Sequence, residues 1–255
     1  MKYSIITATY NSETSIERAL TALLSQSYPN FEWLVQDGGS TDRTLEIINK
    51  YPDVRVKVNS EPDKGIYDAW NRAVARATGD WAIFLGADDM FANKDALVRS
   101  HLRIKRLSSR VQFAFGAMLQ GVDCKVDHLL NRSLREAYRY FFINMSLPFP
   151  ATFIRLGLLQ KQQFDESYKI AGDYEFAARC LTRDNVARIP VVVSYMERGG
   201  MSEDNGRNSF LARERERVIR ERVVPRAQEF ATACVDYLWD EDNRLEEVPS
   251  SLGGV

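Results

Sequence analysis

The sequence predicts an α/β protein: a Rossmann-like, mostly parallel sheet flanked by helices and continued by a C-terminal helical tail. Three observations carry this. Four short strand-like runs alternate with three amphipathic stretches over the first 90 residues. The runs at 3–8 and 81–85 are apolar enough to be covered on both faces, as strands of parallel sheets are. Each of these runs also ends in a polar or Gly-containing tip, where open sheets of this class bind ligands.

Taken in order, Tyr3 to Ala8 is the first strand, with Thr9-Tyr10-Asn11-Ser12 at its tip. The next stretch places Ile16, Leu20, Leu23 and Leu24 on one helical face. After a turn at Tyr28-Pro29-Asn30, Phe31 to Gln36 is the second strand and runs into Asp37-Gly38-Gly39-Ser40-Thr41-Asp42. The glycines there admit close backbone approach, and Ser40, Thr41 and Asp42 suit the cap of the helix through Ile47 and Ile48. Val54 to Val58 alternates valine with Arg and Lys, a half-exposed strand. Ile66, Ala69, Trp70, Ala73, Val74 and Ala77 then form one apolar helical stripe, with Asp68, Asn71 and Arg72 on the opposite, solvent face. Gly79-Asp80 stops this helix. Trp81 to Leu85 is a buried strand, and Gly86, Ala87, Asp88 and Asp89 follow it.

Beyond residue 90 the pattern loosens. Helices are expected over Ala96–Leu107, Arg132–Phe142 and Asp173–Leu181, and strands over Val111–Leu119, Ala151–Ile154 and Val186–Tyr195. Pro190 marks the last strand as an edge. Glu197 to Asn208 reads as a loop. Leu211 to Arg222 is a charged helix with Glu216/Arg220 and Arg217/Glu221 at i,i+4, interrupted at Pro225. Ala227, Phe230, Cys234, Tyr237 and Leu238 make a last apolar stripe before PSSLGGV, which reads as disordered.

A net charge of −1 supplies no basic field for nucleic acid. With 45% hydrophobic and 27% charged residues, the 255-residue chain can bury a sizeable core. Cys124, Cys180 and Cys234 are odd in number and far apart, so neither a disulfide framework nor a metal knuckle is expected. No run approaches the roughly 20 apolar residues of a membrane-spanning helix. MKYSIITATYN is patterned as a strand rather than a signal peptide. The expected location is the cytoplasm, extending to the inner face of the membrane.

The run from Glu61 to Met90, EPDKGIYDAWNRAVARATGDWAIFLGADDM, resembles the family 2 glycosyltransferases of GT-A fold, in particular bacterial enzymes that build surface polysaccharides. The likeness covers about residues 1–205 and is strongest over 1–90. It implies a glycosyltransferase domain over 1–205, with a nucleotide-sugar half (1–90) and an acceptor half (91–205), followed by a tail over 206–255. It also implies a metal-dependent, inverting hexosyltransferase-type enzyme of polysaccharide biosynthesis. The donor would be a nucleotide-sugar, first of all a UDP-sugar. The acceptor would be a hydroxyl of a saccharide or lipid-linked saccharide, and the cofactor Mn²⁺ or Mg²⁺.

Residue by residue, Thr7, Thr9 and Asn11 match the family's TxYN and would line the base and ribose pocket; taken alone they are a strand end with a helix cap. Asp37, before Gly38, would accept the imide N–H of uracil or thymine, or else serve only its turn. Asp63, Lys64, Gly65, Asp68 and Asn71 match the donor motif in DKGIYDAWN. Lys64 can neutralise a diphosphate and Gly65 lets the backbone approach it, while Asp68 and Asn71 can take sugar hydroxyls. A solvated helix face has the same composition. Asp88 and Asp89 are the metal candidates, Asp88 also facing the donor, because Mg²⁺ or Mn²⁺ takes one or two carboxylates plus phosphate and stabilises the leaving group. Gly86 stands where the family's DxDD has its first aspartate. Asp173, in FDESYKIAGDYEF, is the candidate catalytic base, although it could equally cap its helix. Gly172 precedes it where many relatives have Glu. Asp37, Asp89 and Asp173 are expected around one crevice.

A family histidine is absent near Pro150, and His101 and His128 match no motif; both are expected to be surface or structural. Gly199-Gly200-Met201-Ser202 looks like the family's GGxS, a loop suited to close over the donor. Arg132, Arg135, Arg139 and the basic tail suit a peripheral contact with an anionic membrane. The tail's alternating signs favour a solvated or homodimer-forming helix instead. Two alternatives are a sugar nucleotidyltransferase, which would want a basic Gly-rich loop after the first strand, and a non-catalytic nucleotide-sugar-binding protein, for which Gly86 and Gly172 leave room.

Overall fold

The computed structural model describes residues 1–199 and 209–236. Among them, nine strands build one mixed sheet: β1 (Tyr3–Thr9), β2 (Phe31–Asp37), β3 (Val56–Ser60), β4 (Trp81–Phe84), β5 (Met90–Phe91), β6 (Phe113–Val122), β7 (Lys125–Leu130), β8 (Thr152–Arg155) and β9 (Val186–Glu197). The order is β3-β2-β1-β4-β8-β6-β9-β5, with β7 paired to β6. The first half is parallel as expected, β1 lying between β2 and β4 and β2 beside β3. Strand β8 is antiparallel to both β4 and β6, so it reverses the sheet between its halves. Parallel pairing returns only between β6 and β9.

Side chains alternate between two apolar layers. Tyr3, Ile5, Trp81 and Ile83 pack with α1 (Ile16–Leu24), α2 (Thr44–Asn49) and α4 (Ala96–Ile104). Ile6, Ala82 and Phe84 face α3 (Ile66–Arg76), α5 (Leu134–Tyr140), α6 (Leu156–Gln162) and α7 (Gly172–Cys180). This two-sided cover is why the central strands carry few exposed positions.

Four expectations change. Strand β3 starts at Val56, because Asp53 and Arg55 close a turn by an ion pair at 2.7 Å and leave Val54 97% exposed. Strand β7 and helix α6 emerge where the sequence showed no clear period. Strand β9 is no simple edge: Phe115 pairs with Arg188 and Ala117 with Val192, so residues 189–191 bulge over Gly116. Pro190 sits in that bulge, where no ladder donor is required. A Cβ on Gly116 would lie 2.4 Å from the Val191 carbonyl oxygen, so only glycine admits the bulge.

The fourth change concerns the tail. Helix α8 (Ser209–Val218) leads through a wide turn at Ile219–Val223 and a short 3₁₀ turn holding Pro225 into α9 (Ala227–Asp236). Leu211, Val218, Val223, Phe230 and Ala233 are buried in the same core as Tyr138, Phe141 and Tyr174. Arg226 donates to the carbonyls of Ala178 (2.6 Å) and Leu181 (2.5 Å) at the end of α7. One apolar stripe of these helices packs into the core instead of standing in solvent, while Phe210, Val224 and Val235 stay exposed. Tyr237, Leu238 and PSSLGGV lie outside the described residues.

Candidate active site

The tip of β1 and the turn after β2 are tied together. Asn11, at φ 48°, accepts the Thr41 N–H at 2.9 Å, and its own N–H goes to Ser40 Oγ at 2.8 Å. Asp37 has no exposed surface, and its carboxylate takes the N–H groups of Gly39 and Ser40 and the hydroxyls of Ser40 and Ser60. Thr7 is buried under the Trp33 indole, whose N–H it accepts at 2.9 Å. Thr9 is buried as well, and its hydroxyl has no hydrogen-bond partner among the described residues. Asn11 and Asp37 therefore organise the loops in this structure, while Thr7 lines a small recess with Gly86 and Asp89. What the tip does present is Tyr10, 62% exposed, beside Gly38 and Asp63. A side chain on Gly38 would strike Asp63 Oδ2 at 2.7 Å.

The turn before α3 is built around its charges. Asp63 accepts the Gly65 N–H at 2.9 Å, and Gly65 at φ 129° occupies a conformation that L side chains rarely adopt. Asp68, expected on a solvent face, is buried; it accepts the Lys64 N–H and pairs with Arg72 at 2.8 Å. Lys64 remains exposed at the lip. Asn71 is also buried and brackets Phe164, donating to its carbonyl at 3.0 Å and accepting its N–H at 2.8 Å. Both side chains are engaged by protein groups here instead of facing solvent as expected. Asn71→Ala should leave the two Phe164 backbone groups without partners, costing roughly 2–3 kcal/mol, or about 4–12 °C in melting temperature for a chain of this size. The donor KM should not move; a raised KM at unchanged melting temperature would return Asn71 to the sugar.

Past β4 the chain turns so that Asp89 Oδ2 accepts the Gly86 N–H at 2.8 Å. A Cβ on Gly86 would come within 2.7 Å of Asp88 Oδ1 and 3.1 Å of Asp89 Oδ2, so the two carboxylates fold over this residue and would have to shift for a side chain there. Burial, and next the charge of Asp88, push the Asp89 carboxyl up to about 7. Asp88 is raised too, by burial and by nearby Glu197. Crowded carboxylates with raised proton affinity suit a hard cation, which would relieve their repulsion. Among the described residues no group of three or more His, Cys, Asp or Glu side chains is assembled to hold a metal. One or two carboxylates plus a substrate's phosphates is the pattern this leaves.

Asp173 lies in the first turn of α7, where its Oδ1 accepts the Tyr174 N–H at 2.7 Å. Tyr67 fixes the approach to it: the hydroxyl donates to Ile170 O at 2.6 Å and accepts the Gly172 N–H at 2.7 Å. A Cβ at Gly172 would meet the Tyr67 ring at 2.6 Å, which accounts for glycine at this position. Glu214 of α8, itself buried, accepts the N–H groups of Lys169, Ile170 and Ala171 at 2.6–2.9 Å. Burial raises the Asp173 carboxyl to about 6, opposed by the Tyr174 N–H and the positive charge of Arg215.

Asp89 and Asp173 open onto one cavity of about 520 Å³. Tyr67, Trp70, Phe84 and Phe149 form much of its apolar wall. Asp37 is not on it, so only two of the three expected carboxylates converge. Sequence reading missed Gln120, His128, Arg132, Lys169 and Arg215 on its lining. For His128 the missing signal was β7, which carries it to the rim; His101 instead packs against Tyr3 and Tyr28, as a structural residue would. Of the GGxS stretch, Gly199 is described, at φ 98°, while Gly200, Met201 and Ser202 lie outside the described residues.

Comparison with known proteins agrees with this architecture. The "Glycosyl transferase family 2" model matches residues 4–99. Over 226 residues the chain is 31% identical to a PGL/p-HBAD biosynthesis glycosyltransferase of Mycobacterium tuberculosis, covering 83% of each chain. TarS of S. aureus, solved in complex with UDP-GlcNAc, has a TM-score of 0.65 at 25% identity over 78% of this chain. The chain spans 59% of that TarS chain. The mannosyltransferase PcManGT of Pyrobaculum calidifontis, solved with GDP-Man and Mn²⁺, has a TM-score of 0.62 over 94% of this chain and 70% of its own; at 19% identity it attests the shared fold.

Proposed function

The chain belongs to the family 2 glycosyltransferases of GT-A fold, and from that premise we propose that it moves a sugar from a nucleotide-diphosphate donor to an acceptor hydroxyl with inversion. The donor is a UDP-sugar and the acceptor a saccharide or lipid-linked saccharide of a polysaccharide pathway. One observation carries the reading: Asp89 and Asp173 share a cavity, each with a raised carboxyl. TarS bound to UDP-GlcNAc and the name of the M. tuberculosis relative support a UDP-sugar donor and a biosynthetic role.

In this reading Tyr10 offers its exposed ring to the base beside the turn that Asp37 and Asn11 hold. Lys64 and the Gly65 backbone meet the diphosphate. Asp89, with Asp88, would hold Mg²⁺ or Mn²⁺, which when bound neutralises charge on the departing diphosphate. Asp173 accepts the proton of the acceptor hydroxyl while that oxygen bonds to the anomeric carbon; the nucleoside diphosphate leaves with the electron pair of the broken bond.

The test is to incubate the purified protein with a panel of UDP- and GDP-sugars, with Mn²⁺ or with EDTA, and to measure nucleoside diphosphate release. Release from a UDP-sugar that EDTA abolishes is expected. Binding of donors without any release, across acceptors, would favour a non-catalytic binding protein.

A further inference from the structure

We propose that Arg215 is the receptor for a negatively charged group on the acceptor, so that the hydroxyl attacked belongs to a molecule bearing a phosphate or carboxylate. This rests on the transferase reading of the cavity and names the acceptor class for it.

Three cationic side chains line the cavity: Arg132, Lys169 and Arg215. Two are occupied. Arg132 donates to Ser146 O at 2.5 Å and lies over the Tyr140 ring, and Lys169 donates to Lys64 O at 3.0 Å. Arg215 is half-buried and has no hydrogen bond or ion pair among the described residues. A guanidinium withdrawn from water needs anionic or carbonyl partners, and its planar fork matches a phosphate or carboxylate in two-point contact.

Its placement is not accidental. Glu214, the preceding residue, is locked onto the three amides of Lys169, Ile170 and Ala171, which pins α8 against the segment leading into Asp173. That engagement also spends the Glu214 charge, and residues adjacent in a helix point about 100° apart, so Glu214 does not neutralise Arg215. The electrostatic effect of Arg215 falls instead on Asp173, whose ionised form it favours.

Arg215 stands on the acceptor side. It shares a smaller recess with Asn144, Met145, Ile170, Asp173 and Tyr174. Gly86 and Asp89, on the side where the diphosphate would lie, do not line that recess and share with Arg215 only the larger cavity. The charge that Arg215 recruits there is carried by the molecule whose hydroxyl Asp173 deprotonates.

The experiment measures binding of glycerol 1-phosphate, glycerate and glycerol by calorimetry to protein saturated with UDP and Mn²⁺. Wild type should bind at least one of the two anions and not glycerol, and the tighter anion tells which acid the acceptor carries. Arg215→Gln should weaken that anion at least about tenfold, Arg215→Lys less, with the UDP–Mn²⁺ affinity of both within about twofold of wild type. Equal binding of glycerol and the anions, an unchanged anion affinity in Arg215→Gln, or a loss of UDP affinity in its place would each overturn the proposal. Failure of the wild type to bind UDP with Mn²⁺ would instead strike the transferase reading, so the two failures are told apart.

Discussion

Replacing Asp173 with asparagine is expected to lower kcat by about 10²–10⁴-fold and to leave donor affinity within about twofold. The change removes one proton-accepting oxygen and keeps the shape. The Asn side-chain oxygen can still take the Tyr174 N–H that Asp173 takes now, so α7 should not move. The pH profile gives a second readout. Because burial raises the Asp173 carboxyl to about 6, it is an active base only when ionised, above that value. At saturating metal and donor, turnover in the wild type should therefore climb about tenfold per pH unit below about 6 and level off above it. The asparagine variant should lose that rise. A residual rate with the wild-type pH slope would mean that another group takes the proton.

Asp89→Ala is the second large effect. It should abolish metal-dependent binding of UDP and, with it, transfer, since the cation then loses its buried carboxylate. The Gly86 N–H loses its partner as well, so a thermal melt should accompany the binding assay to show that the protein is folded. Proton competition makes the same point in the wild type. The Asp89 carboxyl sits at about 7, and a cation takes only the ionised form. Metal affinity should thus fall as pH drops below about 7, by up to about tenfold per unit. A metal affinity flat from pH 5 to 8 would place the cation elsewhere.

Much of the N-terminal half was legible before any coordinates. Tyr3–Thr9, Phe31–Asp37, Ile66–Arg76 and Trp81–Phe84 match the expected strands and helix within a residue or so. Their periods are strong because each element is fully covered on one face or on both. Roles of individual polar residues were less legible. Asp68 and Asn71 have helical spacing opposite the apolar stripe, yet Asn71 meets Phe164, 93 residues away, and a contact at that distance leaves no local trace. The tail shows the same limit. Leu211 to Arg222 carries charges of both signs in a pattern that suits solvent, while Glu214 finds its partners 43–45 residues upstream. The bulge at Pro190 was read as an edge because proline marks a missing ladder donor without saying whether the strand ends or buckles. Among the motif residues, Asp89 and Asp173 reached a common cavity, whereas Asn11 and Asp37 hold the loops beside it.

The Tyr67 hydroxyl, clasped between Ile170 O and Gly172 N, and the Lys169–Lys64 bond rivet the donor lip to the segment that carries the base. A clamshell motion that parted these two halves would break all three bonds and uncover the Tyr67 ring from Gly172. At about 1 kcal/mol for each bond, and more for groups left buried, such a hinge is stiff. In the proposed reaction, the spacing between Lys64 and Asp173 would thus be held largely by the fold itself.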